Sequence, residues 1–203
     1  VTPKMKSLGV KNRCRRYEIP KNIRYLVAKP RMQKYIDYAA EIYGIYLDYM
    51  DKQDIYVYSI DESFIDATDY LQIYGKTPKE YAKMLIEEIA RRTHIPATAG
   101  IGTNLYLAKI ALDITAKKCP DRIGYLDERT FRETLWTHRP LTDFWGIAKG
   151  ISNRLAKKGI YDMQGITRCP EEILYREFGV NAELIIDHAW GRESCTMEDI
   201  KNY

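Results

Sequence analysis

Asp61 and Glu62 stand side by side in the run Tyr58-Ser59-Ile60-Asp61-Glu62-Ser63-Phe64-Ile65-Asp66, where they interrupt an otherwise apolar and aromatic stretch. Adjacent carboxylates repel, so the pair is costly unless cations or donors offset it. A divalent metal is one such counter-ion, and hard oxygen ligands suit magnesium. A solvated turn carrying two acids is the plain alternative, because acids are mostly exposed. Residues 54–58 before the pair are rich in β-branched and aromatic types, and residues 63–67 after it are a second strand-like piece. That pattern predicts two strands with the acids at the bend between them.

The elements that must hold this bend follow from periodicity and punctuation. Residues 23–27 have the composition of a short strand, and Pro30 and Arg31 open a helix through Met32, Ile36, Ala39, Ala40 and Tyr43. Thr77-Pro78 is a helix start with proline in the first turn. The helix it opens runs through Tyr81, Leu85 and Ile89 until Pro96 closes the segment. Residues 97–101 read as a strand, with Thr103 or Asn104 capping the next helix. Residues 123–126 read as another strand. Beyond them the pattern is helical, over 128–136, 151–158, 171–178 and 182–190, with Gly159, Gly179 and Gly191 where helix stops belong. An alternating α/β part therefore gives way near Asp127 to an all-helical part.

Composition narrows the function classes. At 203 residues with 45% hydrophobic content the chain can bury a real core. Four scattered cysteines, Cys14, Cys119, Cys169 and Cys195, form no Cys-x-x-Cys pair, which argues against a zinc site and fits reduced thiols in the cytoplasm. No apolar run approaches a membrane-spanning length. The net charge of +4 is unevenly placed: residues 1–34 hold eleven bases against the single acid Glu18, a local +10 that leaves −6 for the remainder. Such a basic density suits nucleic acid or polyphosphate, and equally a solubilising surface. Tyr17 and Tyr25 within it are compatible with base stacking or with half-buried packing.

The run 58–66 resembles the second acidic motif of the Y-family DNA polymerases, the translesion enzymes, in their UmuC-like branch. Further blocks follow in the family's order: Thr98-Ala99-Gly100-Ile101-Gly102-Thr103-Asn104, then Leu107-Ala108-Lys109-Ile110-Ala111-Leu112-Asp113, then Ala116-Lys117-Lys118 and Leu141-Thr142-Asp143-Phe144-Trp145-Gly146-Ile147. The resemblance covers most of the chain. It implies an α+β palm with a mainly antiparallel sheet and packed helices, followed by a small helical thumb with a helix-hairpin-helix. It implies nucleotidyl transfer from a dNTP to a primer 3′-hydroxyl on template DNA, with two magnesium ions about 3.5–4 Å apart. Asp61 and Glu62 are then the metal-binding catalytic acids. Asp66 matches the family's downstream acid or is an ordinary structural acid. Lys117 matches the lysine that neutralises the triphosphate. One residue more than the common spacing separates Asp113 from Ala116-Lys117, so Lys118 competes for that role. Gly100 and Gly102 are expected to pack near the active strands rather than bind phosphate. Gly146, Ala148, Lys149, Gly150 and Arg154 are expected to approach a DNA phosphate through hairpin N–H groups and charge. Ala148 stands where the family hairpin usually has glycine, and Trp145 is expected in the core.

The resemblance also divides the chain: end of fingers over 1–20, palm over 21–127, thumb over 128–203. The family's first strand, with another catalytic Asp, and its C-terminal DNA-gripping domain have no counterpart here. The expectation is an internal piece of a polymerase, inactive alone, whose parent engages DNA, dNTP and, through the region missing here, a sliding clamp, with no membrane partner. A non-catalytic DNA-binding or regulatory protein with a degenerate palm is the rival reading. An unrelated metal-dependent phosphotransferase is a third.

Overall fold

Residues 1–12 and 14–202 are described by the structure, a computed structural model; Arg13, one of the eleven N-terminal bases, and Tyr203 lie outside them. The chain divides into two units, Val1–Lys34 and Tyr35–Tyr203. In the first, Thr2 caps the short helix α1 (Pro3–Ser7) by accepting from the Met5 N–H at 3.3 Å. Residues 23–27, expected as a strand, form none. A strand needs a neighbour to satisfy its backbone; here no ladder forms, and Leu26 and Val27 are exposed. The described bases of this unit are exposed as well.

Helix α2 (Met32–Leu47) begins at the end of the first unit and continues into the second. There, β1 (Ile55–Ser59) and β2 (Glu62–Ile65) pair antiparallel, with Tyr56 opposite Phe64 and Ser59 opposite Glu62. The register slips between Val57 and Ser59, so Tyr58 is a bulge residue. Bulges bend a strand and re-aim its side chains. After the short α3 (Thr68–Ile73), helix α4 (Pro78–Thr93) starts with the expected proline and a full capping box between Thr77 and Glu80. A tyrosine-rich cluster packs around Met50, Ile55, Tyr81 and Leu85. Burial there pushes the Tyr81 hydroxyl up to about 12. Part of the chain's 17 tyrosines is thus core material.

Strand β3 (Ala99–Gly102) leads through α5 (Leu105–Ile110), capped by Asn104, to β4 (Ile123–Leu126). β3 and β4 pair parallel, Gly100 opposite Gly124. This corrects the expectation of a mainly antiparallel sheet: among the described residues there are two two-stranded sheets, one of each kind. The reason is the connection, since a crossover helix returns the chain in the same direction. Between α5 and β4 the backbone passes through a π turn, Ala111–Thr115, and a 3₁₀ turn, Ala116–Lys118. A π turn bonds back five residues instead of four. After it, Ala116 returns to the core.

The helical end comprises α6 (Glu128–Leu135), α7 (Lys149–Ala156), α8 (Met163–Arg168), α9 (Glu171–Phe178), α10 (Asn181–Trp190) and α11 (Met197–Lys201). Gly179 and Gly191 close α9 and α10 with positive φ, as their positions predicted. One apolar core runs from Tyr106, Leu107 and Ile110 through Leu126 and Phe131 to Leu155, Ile185 and Ala189, and so passes straight through Asp127. No helix among the described residues is long and apolar enough to cross a membrane.

Gly100 and Gly102 make the crossover possible. A Cβ on Gly100 would overlap the backbone of Ala108 and Leu112, and one on Gly102 the backbone of Leu107 and Ala108. Gly150, by contrast, has open space where its Cβ would stand. Gly102→Ala is therefore expected to destabilise the protein by about 1–3 kcal/mol or more, as overpacking does. Gly150→Ala in α7 is expected to stabilise it by up to about 1 kcal/mol through lost chain entropy in the unfolded state. Chemical denaturation of the two variants checks this: opposite signs are required.

Candidate active site

The hairpin connection places Ile60 and Asp61 at its tip and Glu62 at the first position of β2. Asp61 is exposed, and its Oδ1 accepts from the Ser59 hydroxyl at 2.9 Å. Glu62 is half-buried. Neither acid is lost in the core, as a metal-binding role requires. Asp66 behaves differently. Its Oδ1 accepts from the Thr68 N–H at 3.0 Å and the Thr68 hydroxyl at 2.6 Å, a local turn that starts α3.

The cation that the fold brings to the acids is Lys109, on α5. Its Nζ lies 2.9 Å from each Glu62 carboxylate oxygen and 3.1 Å from Asp113 Oδ2. It also stands 5.7 Å from the centre of the Tyr58 ring. Lys109 is only 8% exposed. Burial alone would pull its pKa down, but the hydrogen bonds to Glu62 and Asp113 outweigh burial and hold it above the ordinary lysine value. The resemblance gives Lys109 no role, yet a signal is present in the sequence. A lysine inside the apolar run Leu107–Ala111 with an acid four residues on must be paired if the helix is buried.

Lys117 and Lys118 both lie in the 3₁₀ turn and are exposed, while Ala116, just before them, is buried. A cavity of about 570 Å³ opens among β2, β3, α4 and α5, with Glu62 and Lys109 on its wall. Among the described residues no group of three or more His, Cys, Asp or Glu is arranged to hold a metal ion. The two hairpin carboxylates remain hard oxygen donors. Magnesium is commonly held by one or two carboxylates, with phosphates and water completing its shell, so the donor chemistry fits that ion.

The loop 144–148 turns at Gly146 (φ +85°) and leads into α7, whose first residues Lys149 and Gly150 are exposed. The Ala148 cap offers no side-chain acceptor to the first helical N–H groups. A 3₁₀ turn, Leu141–Asp143, precedes the loop. Trp145 is half-buried against the core, as expected, and its indole N–H donates to the Tyr58 hydroxyl at 3.2 Å. Arg154 is not an open cation. It donates to Glu177 Oε1 at 2.8 Å and lies over the Phe178 ring at 4.4 Å, while Lys158 reaches Glu177 Oε2 at 2.9 Å.

The chain belongs to the impB/mucB/samB family (IMS), which its sequence matches over residues 1–113. It is 34% identical over 184 residues to a protein named DNA polymerase IV 2 from Bacillus subtilis (strain 168), covering 90% of this chain and 44% of the relative. Among solved structures, the insertion ternary complex of Dbh DNA polymerase superimposes with a TM-score of 0.67 at 25% identity, over 81% of this chain and 46% of that one. A DinB family error-prone DNA polymerase from Sulfolobus solfataricus gives a TM-score of 0.74 over 95% of this chain and 57% of its own, which at 24% identity is a likeness of fold. The chain spans less than half the length of curated relatives it matches.

The Glu177 cluster yields a pH prediction. Arg154 first, then Lys158, holds the Glu177 carboxyl at about 2 against an ordinary 4.5. A depressed carboxylate stabilises the fold above its unfolded pKa and loses that contribution as pH falls toward the folded value. Wild type should therefore melt above Glu177→Gln at pH 6, and the gap should close between about pH 4.5 and 2. Melting curves across that range test it; a gap that persists at pH 2 contradicts the pairing.

Proposed function

We propose that the chain is the catalytic portion of a translesion DNA polymerase, which transfers a nucleotidyl group from a dNTP to a primer 3′-hydroxyl. The observation that carries this reading is the exposed Asp61–Glu62 pair at the tip of an antiparallel hairpin, in a chain of the impB/mucB/samB family. Residues 1–20 are assigned to the end of the fingers, 21–127 to the palm and 128–203 to the thumb. Residues on both sides of the proposed boundary at 127 share one apolar core. The cytoplasm is the proposed location, and a sliding clamp a proposed partner of the complete protein.

Asp61 and Glu62 would hold magnesium, which supplies Lewis-acid stabilisation of charge on phosphate oxygens. The hairpin fixes where those carboxylates stand, and Ser59 orients Asp61. Lys117, or Lys118 beside it, offers an exposed point charge suited to a triphosphate. In the proposed helix-hairpin-helix of the thumb, Gly146, Ala148, Lys149 and Gly150 present backbone N–H groups and charge to a DNA phosphate. Arg154 supports this surface through Glu177 rather than as an independent contact.

A non-catalytic DNA-binding role is the second reading. It is favoured by the lack, among the described residues, of a group of three or more His, Cys, Asp or Glu arranged to hold a metal ion, and by the ammonium already neutralising Glu62. Primer extension separates the two. In the full-length protein Asp61→Ala should lower extension by about a thousandfold or more, equivalent to several kcal/mol of transition-state stabilisation, while duplex binding stays near wild type. Lys117→Ala should raise the dNTP KM more than it weakens DNA binding; the same phenotype in Lys118→Ala alone moves the role by one residue. Extension untouched by Asp61→Ala would leave the second reading.

A further inference from the structure

Lys109 carries a chemistry that the site assignment leaves unused. Its ammonium engages both oxygens of Glu62 at 2.9 Å and one of Asp113 at 3.1 Å, and it is buried. An ammonium that served only to neutralise α5 would be complete with Asp113, one turn along the same helix. Reaching across to chelate Glu62 does something further. It holds that side chain in one orientation, and it offsets the repulsion between Glu62 and its neighbour Asp61.

We propose that Lys109 is a positioning residue: it is the resident counter-ion of Glu62 and releases that carboxylate to a divalent cation by falling back on Asp113. The proposal rests on the metal-binding reading of the hairpin.

The arrangement has the parts such an exchange needs. Asp61, Glu62, Asp113 and Lys109 carry three negative charges and one positive, a net −2 that a single dication cancels. Glu62 has 30% of its side chain exposed, so a cation can reach it from solvent while the ammonium holds it from within. Asp113 remains in contact when Glu62 leaves, so the buried ammonium is never left without a partner, the costly outcome for an interior charge. The Tyr58 ring lies 5.7 Å from the ammonium and offers its face as a further cation contact.

The test is Mn²⁺ binding to the chain itself, measured at fixed pH and salt by electron paramagnetic resonance of the free ion. Glu62→Gln sets the floor. Removing the competing ammonium in Lys109→Met should tighten Mn²⁺ binding, and Asp113→Asn, which forces Lys109 to rely on Glu62, should weaken it. Each effect should be roughly three- to tenfold, the range expected for groups in contact. A mere through-space field would produce the same two signs, so the double variant decides. If Lys109 competes for Glu62, Asp113→Asn should have little effect once Lys109 is gone. If Asp113→Asn weakens binding equally with and without Lys109, the counter-ion role is overturned and the metal reading stands. An unchanged affinity in Asp113→Asn alone overturns it as well, even should Lys109→Met not fold. Equal binding by wild type and Glu62→Gln would overturn the metal reading of Glu62 and this proposal together.

Discussion

The contact of helix backbone on strand backbone at Gly100 and Gly102 governs the rest of the site. With no Cβ on these two residues, α5 lies directly on β3. That depth buries Tyr106, Leu107 and Ile110 completely. It also carries Lys109 below the surface, where a lysine stays charged only if acids meet it. The Glu62–Lys109–Asp113 cluster is thus a consequence of helix packing. A helix held further out would let Lys109 reach solvent, and Glu62 would lose its fixed partner.

The same crossover contains a local change of helical register. A π turn holds about one residue more than an α turn, and one residue of an α-helix corresponds to about 100° of rotation at 3.6 residues per turn. That turn spans Ala111–Thr115. Ile114 and Ala116 stay buried, and Lys117 and Lys118 stay outside. Lys109, just before the turn, and Asp113, within it, keep their i,i+4 contact. The change of register therefore lies between the buried cation and the exposed ones.

What was legible in the sequence was mostly local. The strands around Asp61 and Glu62, the Thr77-Pro78 start, the Asn104 cap and the glycine stops all depend on residues within a few positions of one another, and all formed. Strand pairing is not local. Residues 23–27 have strand composition but no ladder, and nothing in residues 99–126 read singly announced a parallel pair. The acids could be named because their adjacency is unusual. Lys109 is visible only as a lysine out of place in an apolar run, and its partner Glu62 lies 47 residues away. Arg154 shows the reverse. Its charge suggests a surface cation, whereas Glu177 and Phe178, on a different helix, occupy it.

Tyr58 joins the hairpin to the helical end. As the bulge residue of β1 it packs edge-on against both Phe64 and Trp145, at ring-centre distances of 5.7 and 5.9 Å, and accepts the Trp145 indole N–H. Trp145 in turn lies parallel to His188 on α10, and His188 stacks on Tyr106 of α5 at 3.8 Å. The loop that precedes α7 therefore rests on the same helix that supplies Lys109. A shift of that loop would be felt at Tyr58, whose ring flanks the ammonium, and through it at Glu62. Aromatic contacts of this kind contribute about 0.5–1.5 kcal/mol each beyond their buried area. Through them the hairpin that carries the acids and the loop before α7 lean on one set of stacked and edge-on rings.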